Sequence, residues 1–188
     1  QGHEGETISV WAYSNCDEVA LYVNGKLIGR KEMPKNGHLE WETTYQPGKL
    51  KAVGYKDGKR VITKVVETTG NATQMALVAD RQAIKADGQD VAVCNIQLLD
   101  KKKRFVPTAN QRLTISISGP ATILGVGNGD PAFQAIERPT DAKATSFEVD
   151  SFNGLAQVLI QSTKEAGNIT LTISGEGIAS ATIHINAQ

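Results

Sequence analysis

Four aromatic side chains near the start of the chain are the residues best suited to bind a ligand. Trp11 and Tyr13 are two positions apart, and Trp41 and Tyr45 are four positions apart. Side chains at these spacings on a strand point to the same face, so each pair could form a flat stacking surface for sugar rings. A face rich in Trp and Tyr is also typical of the core of a small β-sandwich. We expect core positions, with carbohydrate contact by Trp11, Tyr13, Trp41 and Tyr45 as the alternative.

The segment GVGNGDP, residues 125–131, has three glycines at alternate positions after an apolar run. A dinucleotide-binding loop needs the spacing G-x-G-x-x-G between a strand and a helix, because amides at the helix N-terminus hold the pyrophosphate. Here Asp130-Pro131 follows the third glycine, and neither an amphipathic helix pattern nor Gly-Lys-Ser/Thr comes after it. The sequence therefore predicts a glycine-rich turn and no nucleotide cofactor.

Loop carboxylates are the candidate metal ligands. Asp80, Asp87 and Asp90 lie close together in the sequence, and Asp130 precedes Glu137 by a few residues. Calcium binds carboxylates and carbonyls in such loops, but these spacings do not match an EF-hand. No metal site is predicted, and an ordered calcium ion is the less favoured alternative.

The histidines and cysteines form no recognisable catalytic or zinc-binding group. His3, His38 and His184 are isolated from one another, and none is at zinc-ligand spacing from a cysteine. We expect them to be exposed or hydrogen-bonded. Cys94 alternates in phase with apolar neighbours, which predicts a core position, whereas Cys16 is expected at a strand end and partly exposed. Both are predicted to be free thiols.

Catalytic serine and paired acids are also not indicated. The chain has no G-x-S-x-G nucleophile motif. Glu40 and Glu42 share one strand face opposite the apolar Leu39 and Trp41. Glycoside hydrolysis needs two carboxyl groups held across a cleft at a defined separation, so we expect this pair to be solvated instead. No catalytic residue is predicted.

The charge balance excludes nucleic acid as a partner. Lys and Arg together number 20, as do Asp and Glu, so the net charge is zero. The basic run at residues 100–104 is predicted to be a solvated turn. No apolar stretch approaches the roughly 18 residues of a membrane span, so membrane insertion is not expected. Because the sequence starts at Gln1 and not at Met, we expect a piece of a longer chain, and its compartment is unknown.

Apolar residues alternate with polar ones along most of the chain, which predicts β-strands throughout. Leu113, Ile115 and Ile117 alternate with Thr and Ser in this way. Asn-Gly, Pro-Gly and Asp-Gly pairs mark turns between the strands. The predicted strand pairs are 18–23 with 26–33, and 39–45 with 50–55, followed by a strand at 60–67.

The distribution of aromatic residues predicts two domains. All Trp and Tyr residues precede residue 60, and the polar stretch 68–73 has the composition of a linker. We place domains at 1–70 and 71–188, each with about seven short strands. The predicted fold class is all-β, with two tandem immunoglobulin-like β-sandwich domains.

Two groups of segments resemble consecutive modules of one enzyme family. VWAYSNCDEVALYVNGKLIG, residues 10–29, and YQPGKLKAVGYKDGK, residues 45–59, resemble the module after the catalytic barrel in bacterial glycoside hydrolase family 2 enzymes, chiefly β-galactosidase-like ones. IKADGQDVAV, ILGVGNGDP and SFNGLAQVLI, which start at residues 84, 123 and 151, resemble the C-terminal module of the same enzymes. The order of the segments is also that of the family.

This resemblance implies an accessory role and transfers no catalytic residue. The retaining mechanism of the family uses two glutamates of a (β/α)₈ barrel of about 250 residues, for which this chain is too short. The implied partner is the catalytic barrel of the parent enzyme, with support of a homo-oligomer as a further role. The bacterial periplasm or cell surface is the implied location. An adhesin-like tandem would fit the composition but not the paired segments.

Two features distinguish a scaffold from a carbohydrate-binding module. The second domain has neither Trp nor Tyr, so stacking on polysaccharide there is not expected. In the first domain, only exposure of Trp or Tyr would favour binding. The resemblance also places GVGNGDP in a sandwich loop, where Gly125, Gly127 and Gly129 would relax the backbone and Asn128 or Asp130 would bond nearby amides.

Overall fold

The computed structural model describes residues 2–132 and 145–188, and within them the chain is all-β with no helix. The all-β prediction is therefore confirmed. Contacts between residues divide the chain into two compact units, Gln1–Thr68 and Thr69–Gln188. We call these the first and second units. The immunoglobulin-like description of each stays a prediction.

Six strands form the first unit: β1 Thr7–Ala12, β2 Glu18–Val23, β3 Lys26–Glu32, β4 Leu39–Thr44, β5 Lys49–Lys56 and β6 Lys59–Glu67. A two-stranded sheet pairs β1 with β4, and a four-stranded sheet has the order β3-β2-β5-β6. The predicted hairpins around Asn24-Gly25 and Asp57-Gly58 are confirmed, since β2 pairs with β3 and β5 with β6. In both turns the two residues have positive φ, as hairpin turns of this kind require.

The predicted pairing of strands 39–45 and 50–55 is wrong. β4 pairs with β1, and β5 lies between β2 and β6 in the other sheet. The chain crosses from one sheet to the other at Pro47-Gly48, where Asn24 Oδ1 accepts a hydrogen bond from the Lys49 amide at 2.7 Å. The core explains the crossing, because Leu39 and Trp41 of β4 pack against Val19 and Leu21 of β2.

The described residues of the second unit form nine strands: β7 Ala72–Ala79, β8 Ala83–Ile84, β9 Val91–Asp100, β10 Arg112–Ser118, β11 Ala121–Gly127, β12 Ser146–Asp150, β13 Leu155–Ser162, β14 Gly167–Gly175 and β15 Ile178–Ala187. One sheet has the order β12-β10-β14-β15-β8, and the other has the order β11-β13-β9-β7.

A single aliphatic core lies between the two sheets of the second unit. Ile115, Leu171 and Ile185 from one sheet are in the same buried cluster as Ile96 and Ile160 from the other. All five are at most 1% exposed, so the alternation read from the sequence correctly identifies the buried face of each strand. Burying such side chains is the main stabilisation of this unit.

The turn after β9 is organised by a buried carboxylate. Asp100 is 2% exposed and accepts hydrogen bonds from the amides of Gly70, Lys102 and Arg104 at 2.8–3.0 Å. The Arg104 guanidinium also donates to it, with Nη2 at 2.6 Å. Chiefly because of this guanidinium, the pKa of Asp100 lies far below its ordinary value. The three lysines of the basic run are exposed, as predicted for a solvated turn. Its first residue, Asp100, is instead buried and holds the turn through these hydrogen bonds.

Asp100 should make the stability of the chain depend on acid. Its pKa is lowered in the folded state and about 3.9 when unfolded, so its contribution is present above pH 4 and is lost as pH falls towards the folded-state value. We predict that Asp100→Asn lowers the urea midpoint at pH 7 and that its difference from wild type shrinks at pH 3. Asp80 and Asp87, whose pKa values are also lowered, leave some acid sensitivity in the variant. A difference that is the same at both pH values would contradict this role.

Candidate functional site

The two-stranded sheet of the first unit separates an inner face from an outer face. In its register Val10 is opposite Trp41, Ser9 is opposite Glu42 and Trp11 is opposite Glu40. Alternation along each strand sends Val10 and Trp41 into the core and the other two pairs outward. Trp11 and Trp41 therefore lie on opposite faces of one small sheet.

The expectation that the Trp and Tyr side chains fill the core is wrong for two of them. Trp11 is 54% exposed and Tyr13 is 71% exposed, whereas Trp41 is 4% exposed. Tyr45 is half-buried, with its hydroxyl 3.5 Å from Thr68 Oγ1. Of the four candidate carbohydrate contacts, the structure brings only Trp11 and Tyr13 together on the surface.

A histidine completes this exposed aromatic cluster. The ring of His38 stacks on Trp11, with centroids 4.4 Å apart and planes 23° apart. It also lies 5.4 Å from the Tyr13 ring, and Trp11 and Tyr13 meet edge to face at 6.5 Å. Each ring contacts the other two, so the cluster is one surface. Aromatic pairs in such geometries stabilise each other by about 0.5–1.5 kcal/mol.

Hydrogen bonds hold the indole of Trp11 in place beside a carboxylate. Trp11 Nε1 donates to Ser9 Oγ at 2.8 Å, and Ser9 Oγ donates to Glu40 Oε1 at 2.6 Å. The pKa of Glu40 is lowered, first by the hydrogen bond from Ser9 and then by the Trp11 indole. Glu40 is thus an ionised, exposed acceptor at neutral pH. We call Ser9, Trp11, Tyr13, His38 and Glu40 the aromatic face.

Sequence reasoning treated His38 as isolated and did not include Ser9. The signal that would have found them is the strand pairing, because Glu40 and Glu42 of β4 are opposite Trp11 and Ser9 of β1. His38 precedes β4 and Tyr13 follows β1, so the two rings meet at the same end of this pair. Glu40 and Glu42 are exposed, which confirms that they are solvated.

The two cysteines are free, as predicted, and both are buried. Burial, which is the main cause, raises the pKa of Cys94 to about 12, so this core thiol is not a nucleophile at neutral pH. The expectation of partial exposure is wrong for Cys16, which is 7% exposed. A Cβ atom on Gly54 of β5 would lie 2.6 Å from Cys16 Sγ, so the glycine makes room for the sulfur inside the unit.

Backbone amides donate hydrogen bonds to the carboxylates that were the candidate calcium ligands. Asp80 accepts from the amide of Val93, Asp87 from those of Gln89 and Asp90, and Asp90 from that of Lys85, all at 2.8 Å. Within residues 2–132 and 145–188, no three His, Cys, Asp or Glu side chains are grouped to hold a metal ion. Glu137, and with it the proposed pair with Asp130, lies outside the described residues.

The glycine-rich segment behaves as a strand and its turn. Gly125 and Gly127 lie in β11, and the positive φ predicted for all three glycines occurs at Gly129, at 83°. The expected hydrogen bond from a nearby amide is confirmed, because Asn128 Oδ1 accepts from the Asp130 amide at 3.0 Å. Asn128 Nδ2 also donates to the main-chain oxygen of Asp150 at 2.9 Å. Both the oxygen and the nitrogen of its side-chain amide thus help to hold the loop.

The other histidines are hydrogen-bonded, as expected. His3 Nδ1 lies 2.9 Å from Glu6 Oε2, and His184 Nδ1 lies 3.1 Å from Thr170 Oγ1. No helix long and apolar enough to cross a membrane occurs in the part of the chain that the structure describes.

Family models match both units. One, described as Glycoside hydrolase family 2 C-terminal domain 5, covers residues 75–184. Another, described as a domain of unknown function (DUF4982), covers residues 5–62. The two matches lie in the second and first units respectively.

Curated relatives match nearly the whole chain. The beta-galactosidase BoGH2A of Bacteroides ovatus is 34% identical over 187 residues, which are 98% of this chain and 21% of that protein. A beta-glucuronidase of Formosa agariphila is 29% identical over 97% of this chain and 18% of its own length. The chain therefore spans about a fifth of the length of these relatives.

Solved structures agree with the sequence matches. A glycosyl hydrolase family 2 member from Bacteroides cellulosilyticus matches with a TM-score of 0.87 and 36% identity, covering 98% of this chain and 25% of that one. A beta-glycosidase from Bacteroides vulgatus matches with a TM-score of 0.86 and 33% identity, covering 99% of this chain and 23% of that one.

The two tryptophans should differ sharply in solvent access. Trp11→Phe leaves the buried Trp41 as the sole indole, and Trp41→Phe leaves the exposed Trp11. We predict blue-shifted emission that resists acrylamide quenching in the first variant, and red-shifted, readily quenched emission in the second. Trp41→Phe should also cost about 1–3 kcal/mol in the free energy of unfolding, because it leaves space in the core. Equal quenching of the two folded variants would contradict the assigned faces.

Proposed function

The chain belongs to the C-terminal domains of glycoside hydrolase family 2, and we propose that it is a non-catalytic accessory region of a longer glycosidase of that family. The parent enzyme would be a retaining, β-galactosidase-like glycosidase whose two catalytic glutamates lie in a separate barrel. The supporting observation is coverage: nearly all of this chain matches about a fifth of each relative. The role of this region is to pack on that barrel or extend it.

An exposed aliphatic strand supports the packing role. β6 is an edge strand of the first unit, and Ile62 and Val66 on it are 58% and 60% exposed. Val61 and Val65, also on β6, are 56% and 39% exposed. Ile62 and Val66 share one face of β6, and Val65 is on the other. Exposed aliphatic side chains on an edge strand favour cover by a partner.

Strand pairing explains why these side chains lack cover within the first unit. Val66 is opposite Leu50 and Ile62 is opposite Gly54 of β5, so both extend the face that packs on the small β1–β4 sheet. The buried core under that sheet includes Leu39 and Trp41 but neither of the two β6 residues. The small sheet thus covers the middle of its neighbour and leaves the β6 edge open.

The rest of the parent chain is the proposed occupant of this edge. Lys64 lies between the apolar residues on β6, and a charge at this position opposes direct strand addition by a second sheet. Packing of these side chains against the parent enzyme would cover the aliphatic residues without requiring a second strand to pair with β6. Contact between two copies, which would support oligomerisation, is the alternative that the tests below separate.

The first test is hydrolysis by the 188-residue chain alone. We expect no release of nitrophenol from aryl β-galactosides or aryl β-glucuronides by a purified, folded sample, because the proposal places both catalytic glutamates elsewhere. A Glu40→Gln, Glu42→Gln double variant is the control for contaminating enzyme. Hydrolysis that the wild type shows and this variant lacks would refute the non-catalytic role.

The second test is substitution on β6. In the 188-residue chain, Ile62→Lys with Val66→Lys should change the free energy of unfolding by less than about 1 kcal/mol per site, because both side chains contact solvent. In the longer parent enzyme, the same pair should lower the temperature of heat inactivation. Val78→Lys, at an equally exposed valine of β7, is the matched control.

Three outcomes of this test are decisive. Heat inactivation that is equal for wild type, the β6 pair and the control would contradict docking on β6. Dimerisation of the 188-residue chain in sedimentation experiments, lost in the β6 pair, would assign the strand to an interface between copies. Monomers throughout, with a less stable parent enzyme, would support the proposal.

A further inference from the structure

The aromatic face is the largest exposed group of rings in the part of the chain that the structure describes, and β6 docking does not use it. Trp11 and Tyr13 are more than half exposed, and they lie on the sheet formed by β1 and β4 rather than on β6. Exposed Trp and Tyr side chains side by side are typical of binding sites, because they offer large flat surfaces with little entropy to lose.

We propose that the aromatic face binds a chain of neutral pyranose sugars, with Trp11 and Tyr13 as stacking surfaces and Glu40 as a hydrogen-bond acceptor. A pyranose ring presents axial C–H groups on a face and hydroxyls around its rim. Such a ligand needs an aromatic surface with polar acceptors directly beside it. The aromatic face has both in one small area.

The indole of Trp11 is fixed in position by two contacts before any ligand binds. Its N–H is tied to Ser9 at 2.8 Å, and His38 stacks at 4.4 Å on its ring. A side chain fixed by two contacts loses little conformational freedom when a ligand binds, which improves affinity. Because His38 already covers part of the Trp11 ring, the remaining indole surface and the 71% exposed ring of Tyr13 are what a sugar can contact.

Charge on this sheet selects neutral sugars over uronic acids. Glu40 and Glu42 are exposed on the outer face, and neither TISVWA of β1 nor LEWETT of β4 contains Lys or Arg. Lys31 of β3 contacts this sheet, and its Nζ donates to the main-chain oxygen of Glu40 at 2.6 Å. A carboxylate on the ligand would meet the two glutamates, whereas a sugar hydroxyl can donate to them.

The same charges argue against a protein partner on this surface. The centre of a protein interface is depleted of charged residues. Here Glu40 is joined to the aromatic cluster through Ser9. A protein partner that brought no cation to Glu40 would desolvate this carboxylate at a cost. β6, with four aliphatic side chains, has the opposite character and suits a protein partner.

Affinity electrophoresis of the 188-residue chain in gels containing galactan, xylan, β-glucan or polygalacturonate tests the proposal. We expect at least one neutral polysaccharide to slow the migration of the chain and polygalacturonate to leave its migration unchanged. Trp11→Ala and Tyr13→Ala should each weaken the neutral interaction at least tenfold in calorimetry with the matching oligosaccharide, as loss of a central aromatic contact does. Both residues are exposed, so the variants should stay folded, which circular dichroism would verify.

Matched variants distinguish binding at this site from non-specific binding to the polysaccharide. Val66→Ser removes an equally exposed apolar side chain of the same unit and should leave glycan affinity unchanged. Glu40→Gln keeps an acceptor oxygen and removes the charge, so it should reduce the discrimination against polygalacturonate.

Several results would overturn the proposal. These are no retardation by any neutral polysaccharide, preference of the wild type for polygalacturonate, or binding unaffected by both aromatic substitutions. Self-association in sedimentation experiments that disappears in Trp11→Ala would assign the face to a second copy instead. The hydrolysis test measures nitrophenol release and the β6 test changes residues outside the aromatic face, so failure of either would not decide this one.

Discussion

The register between β1 and β4 is the constraint on which both faces of the first unit depend. With Val10 opposite Trp41 and Ser9 opposite Glu42, one tryptophan fills the core and the other faces water. A slip of a single residue would exchange the two faces of a strand. The core would then lose its large aromatic side chain, and Trp11 would lose its neighbours Ser9 and Glu40 on the surface. Packing and binding in this unit are thus set by one pairing.

The small size of that two-stranded sheet has a second consequence. It covers β2 and part of β5 but leaves Ile62 and Val66 of β6 open. The first unit therefore presents two different surfaces, one polar and aromatic and one aliphatic. The second unit has a continuous aliphatic core between two larger sheets, with buried residues such as Leu171 and Val158 that are inaccessible to solvent. Both proposed interactions therefore involve the first unit.

Much of the local structure could be predicted from the sequence because it depends on alternation and turn chemistry. Period-2 patterns identified strands and, in aliphatic ones such as β10, the buried side, and Asn-Gly and Asp-Gly marked two hairpin turns correctly. The pairing of β4 was mispredicted, because Pro47-Gly48 marks a turn in the chain but does not specify which strands pair on either side of it. Alternation also cannot tell which face of an isolated strand is the inner one, and this is why Trp11 was expected in the core. His38 and Cys16 were misjudged for the same reason, since their surroundings come from strands distant in sequence.

Trp11 and Trp41 lie on opposite faces of one sheet, and the central proposal is that the outer indole contacts the glycan. Selective ¹⁵N labelling of the indoles gives two N–H signals that can be followed in deuterated water and during titration with a neutral oligosaccharide. The account predicts that the Trp41 signal persists in deuterated water and does not shift, while the Trp11 signal exchanges quickly and moves on titration. Movement of the Trp41 signal alone, or of neither signal at saturating oligosaccharide, would contradict it.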